Sequence, residues 1–291
     1  AMTVIDNETG KVVAMIGGRS QDELQQTYSL NRGFQSFKQP GSSIKPLVIY
    51  TPALEEGYDA NSTLTEIDVT AAKKSTSEKI SKMSGQKMSL RYAVEDSKNG
   101  CAYSLYNIIT PKVGLSYIEN MNFSKIVQQD YTLSSGLGGL HHGTNTVEMA
   151  NAYSTLENHG EYRQADCISS ILDASGNEIY EEPESKTVYT RSASDQMTDI
   201  LEGVLNSSAG TAKGLKWSSA SDVAAAAKTG TTNDNKVAWF CGYTPYYTIS
   251  VWVGYDYPKS VKGLWGNTYP AYIWKEAMLY MIDGKDEADF D

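Results

Sequence analysis

Two aromatic strand patterns near the C-terminal end constrain the fold most. Residues 236–243 (Lys-Val-Ala-Trp-Phe-Cys-Gly-Tyr) and 247–253 (Tyr-Thr-Ile-Ser-Val-Trp-Val) are joined by Thr244-Pro245-Tyr246, and Gly254 ends the second. Runs rich in β-branched and aromatic residues, bounded by turn formers, read as paired antiparallel strands. A second pair opens the chain. Residues 2–5 and 12–16 flank the acidic turn Asp6-Asn7-Glu8-Thr9-Gly10, and Gly17-Gly18 close it. Strands at both ends with helical patterns between them predict an α+β fold, an α/β/α sandwich. Its antiparallel sheet of about five strands is flanked by helices, and a mainly helical subdomain is inserted at about 50–160.

The intervening stretch supplies those helices. Residues 21–37 are polar without a clear period and read as a loop leading to Pro40-Gly41. A helix opening at Ser42 runs to about Leu54, before Gly57. Residues 58–88, rich in Ser, Thr, Lys and Asp, read as an exposed excursion. Short helices follow over 88–96, 102–109 and 115–121, the first burying Leu90, Ala93 and Val94. The glycine-rich run Ser134-Ser135-Gly136-Leu137-Gly138-Gly139 has no Gly-Lys-Ser/Thr after it and no GxGxxG pattern, so it reads as a packing turn, not a phosphate cradle. A helix over 146–159 turns Met149, Ala150, Tyr153 and Leu156 inward and stops at Gly160. Residues 167–172 and 178–181 surround Asp173-Ala174-Ser175-Gly176-Asn177 and read as a further hairpin. A helix starting at Ser192 or Ser194 carries Met197, Ile200, Leu201, Val204 and Leu205 at offsets that match one helical face. A last helix covers about 269–282.

Composition narrows the function. The net charge is −10 and no basic run stands out, which argues against nucleic acid or an anionic membrane surface as partner. No run of eighteen apolar residues is present, so direct membrane contact is not expected of this chain. The start at Ala1-Met2, straight into a strand pattern, reads as that of a piece of a longer protein. Cys101, Cys167 and Cys241 allow at most one disulfide and require none. No CxxC spacing occurs, and His141-His142 lack further ligands at metal spacing, so no metal and no cofactor are predicted.

Chemistry concentrates in three short motifs. In Pro40-Gly41-Ser42-Ser43-Ile44-Lys45-Pro46 a Pro-Gly break precedes a serine, and a lysine follows three positions on. Residues three apart share a helix face, so the Lys45 amine reaches the Ser42 hydroxyl. A serine is a weak nucleophile until a base takes its proton, and a helix start adds a positive field and free N–H groups. Taken alone, the motif reads more readily as an N-cap, because Ser-x-x-Lys recurs by chance. Lys228-Thr229-Gly230-Thr231 reads as a strand edge whose threonines share one face and whose glycine lets a substrate backbone approach. Ser97-Lys98-Asn99 alone is an ordinary turn.

Ser-x-x-Lys, Ser-x-Asn and Lys-Thr-Gly in that order are the signature of penicillin-recognising serine acyltransferases. The flanking blocks, from Val4-Ile5-Asp6 through Gly17-Gly18, Leu137-Gly138-Gly139, Gly210-Thr211-Ala212, Lys228-Thr229-Gly230-Thr231-Thr232-Asn233 and Trp239-Phe240-Cys241-Gly242-Tyr243-Thr244-Pro245, resemble class A penicillin-binding proteins over nearly the whole chain. The resemblance implies the penicillin-binding/serine β-lactamase-like fold and a D,D-transpeptidase domain over 1–291. The family's glycosyltransferase domain and membrane anchor are absent from this chain, and the parent protein is expected at the extracytoplasmic face of a bacterial membrane.

It implies roles as well. Ser42 attacks the D-Ala-D-Ala end of a peptidoglycan stem peptide, and Lys45, neutral at that moment, takes its proton. Ser97 relays a proton, Asn99 holds substrate and Lys45, and Lys228 completes the catalytic set. Thr229, Gly230 and Thr231 bind the terminal carboxylate region, and the N–H groups of Ser42 and Thr231 form the oxyanion hole. An acceptor amine closes the cross-link, and β-lactams acylate the same serine. Residues 72–88, Lys98 and Gly100 depart from the family's pattern. Three alternatives stand beside this reading. A serine β-lactamase needs a deacylating carboxylate, for which Glu148 is the nearest candidate; the others are a D,D-carboxypeptidase and a non-catalytic β-lactam sensor.

Overall fold

The computed structural model describes residues 1–19 and 30–290; the predicted loop over 21–37 lies outside them up to residue 29. In chain order the strands are β1 (Met2–Asp6), β2 (Val12–Ile16), β3 (Thr63–Glu66), β4 (Gln86–Ser89), β5 (Glu161–Tyr162), β6 (Lys186–Thr187), β7 (Ala226–Thr231), β8 (Val237–Tyr243) and β9 (Tyr247–Gly254). The α-helices are α1 (Thr51–Glu55), α2 (Val69–Ala72), α3 (Ser77–Ser81), α4 (Leu90–Glu95), α5 (Asn99–Ile109), α6 (Pro111–Asn120), α7 (Thr146–Glu157), α8 (Arg191–Asn206) and α9 (Tyr269–Met281).

The main sheet is antiparallel, in the order β2-β1-β9-β8-β7. The two hairpins at the chain ends meet at β1–β9, which puts β7 on an edge. Every residue of β8 is buried. Its alternation divides the helices between two faces. Phe240 and Gly242 meet Trp274 of α9, whereas Tyr243 meets Tyr153 of α7 and Thr198 of α8. The result is a three-layer α/β/α sandwich, as expected from the sequence.

The helix opening at Ser42 has the expected extent but not regular α geometry. Gly41–Ile44 is a 3-10 turn, Pro46–Tyr50 is π-helical, and α1 follows. Pro46 and Pro52 lack N–H groups, so the i→i−4 ladder breaks twice. Lys45 N bonds Ser42 O, and Thr51 N reaches back to Pro46 O. Buried tyrosines fill the gaps: Tyr153 donates to Ser43 O at 2.7 Å and Tyr189 to Leu47 O at 2.6 Å.

Three readings need correction. Residues 58–88 are not a bare excursion. They form the β3–β4 hairpin around α2 and α3, with a small core of Ile67, Ala72 and Ile80 against Tyr103 of α5. The hairpin over 167–181 reduces to one bridge, Leu172 to Glu178. Ile168, Ile171, Leu172 and Ile179 all stay exposed there, and a ribbon without a covered face does not extend. Helix α8 starts at Arg191, one residue before the nearer of the two predicted starts. Thr190, in extended geometry, accepts from Ala193 N, while Ser194 is buried inside the first turn. Its apolar stripe is as predicted, with Met197, Ile200, Leu201, Val204 and Leu205 buried.

Candidate active site

The site forms where the 3-10 turn, the α4–α5 junction and edge strand β7 converge. A 3-10 helix has three residues per turn, so positions three apart eclipse. The irregular start therefore aligns Ser42 with Lys45 more directly than an α-helix does. It also separates the two serines. Ser43 is fully buried and donates to Pro40 O at 2.7 Å, whereas Ser42 is partly exposed. Among the described residues, Ser42 Oγ makes no hydrogen bond.

Close backbone approach explains the surrounding glycines. Gly41 has φ +57, and a Cβ there would lie 2.8–3.0 Å from the Thr231 backbone. Gly138, at φ +86, would put a Cβ 2.3 Å from Gly41 N, so the glycine-rich run is a packing turn against the serine motif. Gly230 was expected to admit substrate, but its space goes to the protein itself: a Cβ there would meet Pro40 O at 2.3 Å.

Lys45 and Lys228 are fully buried. Lys45 Nζ donates to Ser97 O at 2.8 Å and Asn99 Oδ1 at 2.7 Å, with a longer 3.4 Å contact to Lys98 O. Lys228 Nζ donates to Ser97 Oγ at 2.7 Å and to Thr229 O at 3.2 Å. The two amines thus hold Ser97 from opposite sides, one at its carbonyl and one at its hydroxyl. Ser97 adopts φ 58, a left-handed conformation that turns the chain between α4 and α5. Burial, then the charge of Lys228, holds Lys45 well below the ordinary lysine value, with Glu66 and Cys101 opposing. Burial brings Lys228 down to about 7.

Sheet register sorts the Lys-Thr-Gly strand. Lys228 pairs with Cys241 and Gly230 with Trp239, on the face turned toward the 3-10 turn. Thr229 and Thr231 pair with Phe240 and Ala238 on the other face. Thr229 Oγ1 lies 2.9 Å from Thr211 Oγ1, and Thr231 Oγ1 accepts from Gly266 N at 2.9 Å.

Several contributing residues escaped the sequence reading. Glu66 accepts from Gly100 N at 3.2 Å and Cys101 N at 2.8 Å, anchoring the start of α5 and hence Asn99. The unusual Gly100 belongs to this contact, because a Cβ there would meet Ile67 O at 2.2 Å. Nothing local in a Ser/Thr/Lys-rich stretch marks Glu66. Gly266 and Asn267, which donates to Thr211 O at 3.0 Å, had no signal either. Thr211 lay in a recognised block without an assigned contact. The Cys101 thiol is buried and pushed up to about 12, which suits a packing role, and all three cysteines are free. Glu148 accepts from Ser124 N, Ser124 Oγ and Thr144 Oγ1, so it ties a loop to α7. Among the described residues no helix is long and apolar enough to cross a membrane.

Comparison with known proteins gives one consistent result. The family described as the penicillin binding protein transpeptidase domain matches residues 1–279. Penicillin-binding protein 4 of Bacillus subtilis is 32% identical over 94% of this chain and 42% of its own length. Penicillin-binding protein 1A of Clostridium perfringens is 29% identical over 89% of this chain and 39% of its own length. The chain therefore spans about two fifths of the length of these curated relatives. In fold it is similar to PonA1 of Mycobacterium tuberculosis, solved in complex with penicillin V (TM-score 0.78, 23% identity, all of this chain and 79% of that one). It is likewise similar to penicillin-binding protein 1A of Haemophilus influenzae (TM-score 0.79, 21% identity, all of this chain and 48% of that one).

Proposed function

The chain belongs to the penicillin-binding protein transpeptidase domain family, and on that premise we propose that it is a serine D,D-transpeptidase that cross-links peptidoglycan stem peptides. The observation that carries this reading is the pair of buried lysines gripping Ser97, with Ser42 in the 3-10 turn that leads into Lys45. Two short bonds, to Ser97 O and Asn99 Oδ1, occupy two N–H groups of a neutral Lys45 amine. Its lone pair is left for the Ser42 proton.

Ser42 Oγ attacks the penultimate D-Ala carbonyl of a D-Ala-D-Ala donor as its proton passes to Lys45. The N–H groups of Ser42 and Thr231 receive the oxyanion; losing one such donor typically costs ~3 kcal/mol. The C–N bond to the terminal D-Ala then breaks, and the leaving nitrogen takes a proton through Ser97. Lys228 donates to Ser97 Oγ, so that hydroxyl keeps its own proton for the relay. Thr231 Oγ1 accepts from Gly266 N, which leaves its proton for the substrate carboxylate, with Thr229 and Lys228 beside it. Gly230 keeps this strand against the serine turn. Asn99 holds the substrate amide. An amine from a neighbouring stem peptide attacks the acyl-enzyme, forms the new amide and returns the proton to Ser42. Penicillin acylates Ser42 in the same way. The bonds that engage Glu148 favour synthesis over rapid deacylation. We place this activity on the extracytoplasmic side of a bacterial membrane, as one domain of a longer anchored protein.

A fluorescent penicillin tests the reading. Covalent label should map to Ser42 and vanish in Ser42→Ala. Equal labelling of parent and variant refutes the assignment. Product analysis with a D-Ala-D-Ala peptide, with and without an amine acceptor, separates transfer from hydrolysis.

A further inference from the structure

Helix α5 has no cap of its own. It opens at Asn99 behind Lys98, whose side chain makes no capping bond. The first N–H groups of a helix lack partners within it and carry partial positive charge. Here the cap comes from strand β3: the Glu66 carboxylate accepts from Gly100 N at 3.2 Å and Cys101 N at 2.8 Å. The chain makes room for it. A Cβ on Gly85 would lie 1.9 Å from Glu66 O, and one on Gly100 2.9 Å from the Glu66 carboxyl carbon. Ser104 Oγ donates to Thr65 O at 3.0 Å and fastens β3 along α5. The residue just before this capped turn is Asn99, whose Oδ1 receives Lys45 Nζ at 2.7 Å. Glu66 is thus one residue removed from the Lys45 contact and, among the described residues, forms no salt bridge with it.

The other groups around Lys45 supply no negative charge. Burial raises the Tyr50 hydroxyl well above its ordinary value and the Cys101 thiol to about 12, so both are neutral at pH 7. Lys228 opposes a charge on Lys45, and Asp96 acts on Lys228 while it pairs with Lys98 at 2.7 Å. The charge of Glu66 works against the burial and the Lys228 charge that lower Lys45. We propose that Glu66 is a positioning residue for acyl transfer: its carboxylate caps α5 so that Asn99 stays against Lys45, and its charge steadies the proton that Lys45 takes from Ser42. A carboxylate in direct contact would fix that proton on the amine, whereas one held behind the helix start favours its arrival and still lets it leave. The proposal rests on the acyltransferase reading above.

The second-order rate of Ser42 labelling by fluorescent penicillin, followed across pH, tests it. Glu66→Gln keeps the shape and an acceptor oxygen but removes the charge. Lys45 then loses its proton at lower pH, so the acid limb should move down by about half a unit to one unit, the scale of one partly screened charge. The plateau should fall by about threefold or more, because the base is weaker and Asn99 less firmly held. Ser104→Ala is the control: it loosens β3 from α5 without altering charge, so it should lower the melting temperature and leave the limb in place. In the unaltered protein, the Glu66 carboxyl carbon followed by NMR should show an inflection at the midpoint of the acid limb, as Lys45 gains its charge; this arm needs no variant to fold. A Glu66→Gln limb that stays put or moves up, a Ser104→Ala limb that moves as far as that of Glu66→Gln, or a Glu66 signal without that inflection overturns the proposal while Ser42 labelling stands. Absence of label on Ser42 in the parent overturns the acyltransferase reading, and the role of Glu66 with it.

Discussion

Asn99→Asp places a negative charge where a neutral oxygen now sits, 2.7 Å from the Lys45 amine. The side chains have one shape, so the change is electrostatic. A pair of unit charges at about 4 Å is worth roughly 4 kcal/mol at an effective dielectric of 20, and each pKa unit is about 1.4 kcal/mol. Some of that is lost to burying the new carboxylate, leaving a rise of about one to three units in the Lys45 pKa. Lys45 is now held well below the ordinary lysine value by burial and by Lys228. In the variant it holds its proton to higher pH and takes the Ser42 proton less readily. The second-order rate of acylation by fluorescent penicillin should be followed across the pH range. Its acid limb should move up by about one to three units, which on that limb is a loss of roughly ten- to a thousandfold at fixed pH. Asn99→Ala serves as the comparison, because it removes the acceptor without adding charge and should lower the rate without that upward move. An Asn99→Asp profile that drops uniformly, its midpoint unmoved, refutes the proposition that a neutral Lys45 is the base.

Other substitutions probe the same frame. Lys228, brought down to about 7, binds fewer protons folded than unfolded between that value and about 10.5, so its linkage makes stability rise with pH across that window. Lys228→Met should therefore melt higher than the parent at pH 6, by on the order of a few kcal/mol, lose that advantage toward pH 10, and acylate at least about a hundredfold more slowly. An unchanged melting difference across pH counts against the buried-cation account. Gly138→Ala forces a Cβ against Gly41 N from a φ of +86, and a displacement of about 1 Å at the serine turn should cost roughly a hundredfold in acylation; a rate within twofold of the parent contradicts the packing role. Ser43→Ala removes the bond to Pro40 O and a contact with the Cys241 thiol, so it should lower thermal stability by about 1 kcal/mol while label still maps to Ser42.

Local signals carried much of the architecture. The end strands are long, apolar and bounded by turns, and helices α7, α8 and α9 repeat apolar residues at helical offsets. Those patterns need no distant partner to be read. The second core needed one. Ile67, Ala72 and Ile80 are scattered among polar residues and become a cluster only against Tyr103. Glu66 was invisible for the same reason: its significance lies in two N–H groups 34 and 35 residues away. The motif spacing suggested Ser42 over Ser43, but the physical ground is three-dimensional, a 3-10 turn and a buried bond that consumes Ser43. The sequence reads Gly230 as room for a substrate backbone and Gly138 as part of a packing turn, without naming the partner of the turn. In both cases the neighbour is the serine motif's own backbone.

The two lysines show why this site needs a strained residue between them. A buried ammonium ordinarily finds a carboxylate, which fixes its charge. Among the described residues neither Lys45 nor Lys228 forms a salt bridge, and the side chains and carbonyls that receive their bonds are all neutral. Neutral oxygens accept from an amine and from an ammonium alike, so they leave the proton free to come and go. Ser97 serves both lysines only because its carbonyl and hydroxyl point to different partners, and its φ of 58 sets that orientation. A non-glycine residue in the left-handed region costs on the order of 1 kcal/mol or more, which the surrounding contacts must offset. Ser97→Gly separates the two roles. It relieves the backbone and keeps the carbonyl for Lys45 but removes the hydroxyl from Lys228. Stability should hold while acylation falls by about a hundredfold or more, the scale of a lost proton relay. If acylation survives in Ser97→Gly, the hydroxyl is not the relay, and Ser97 matters only as the acceptor that orients Lys45.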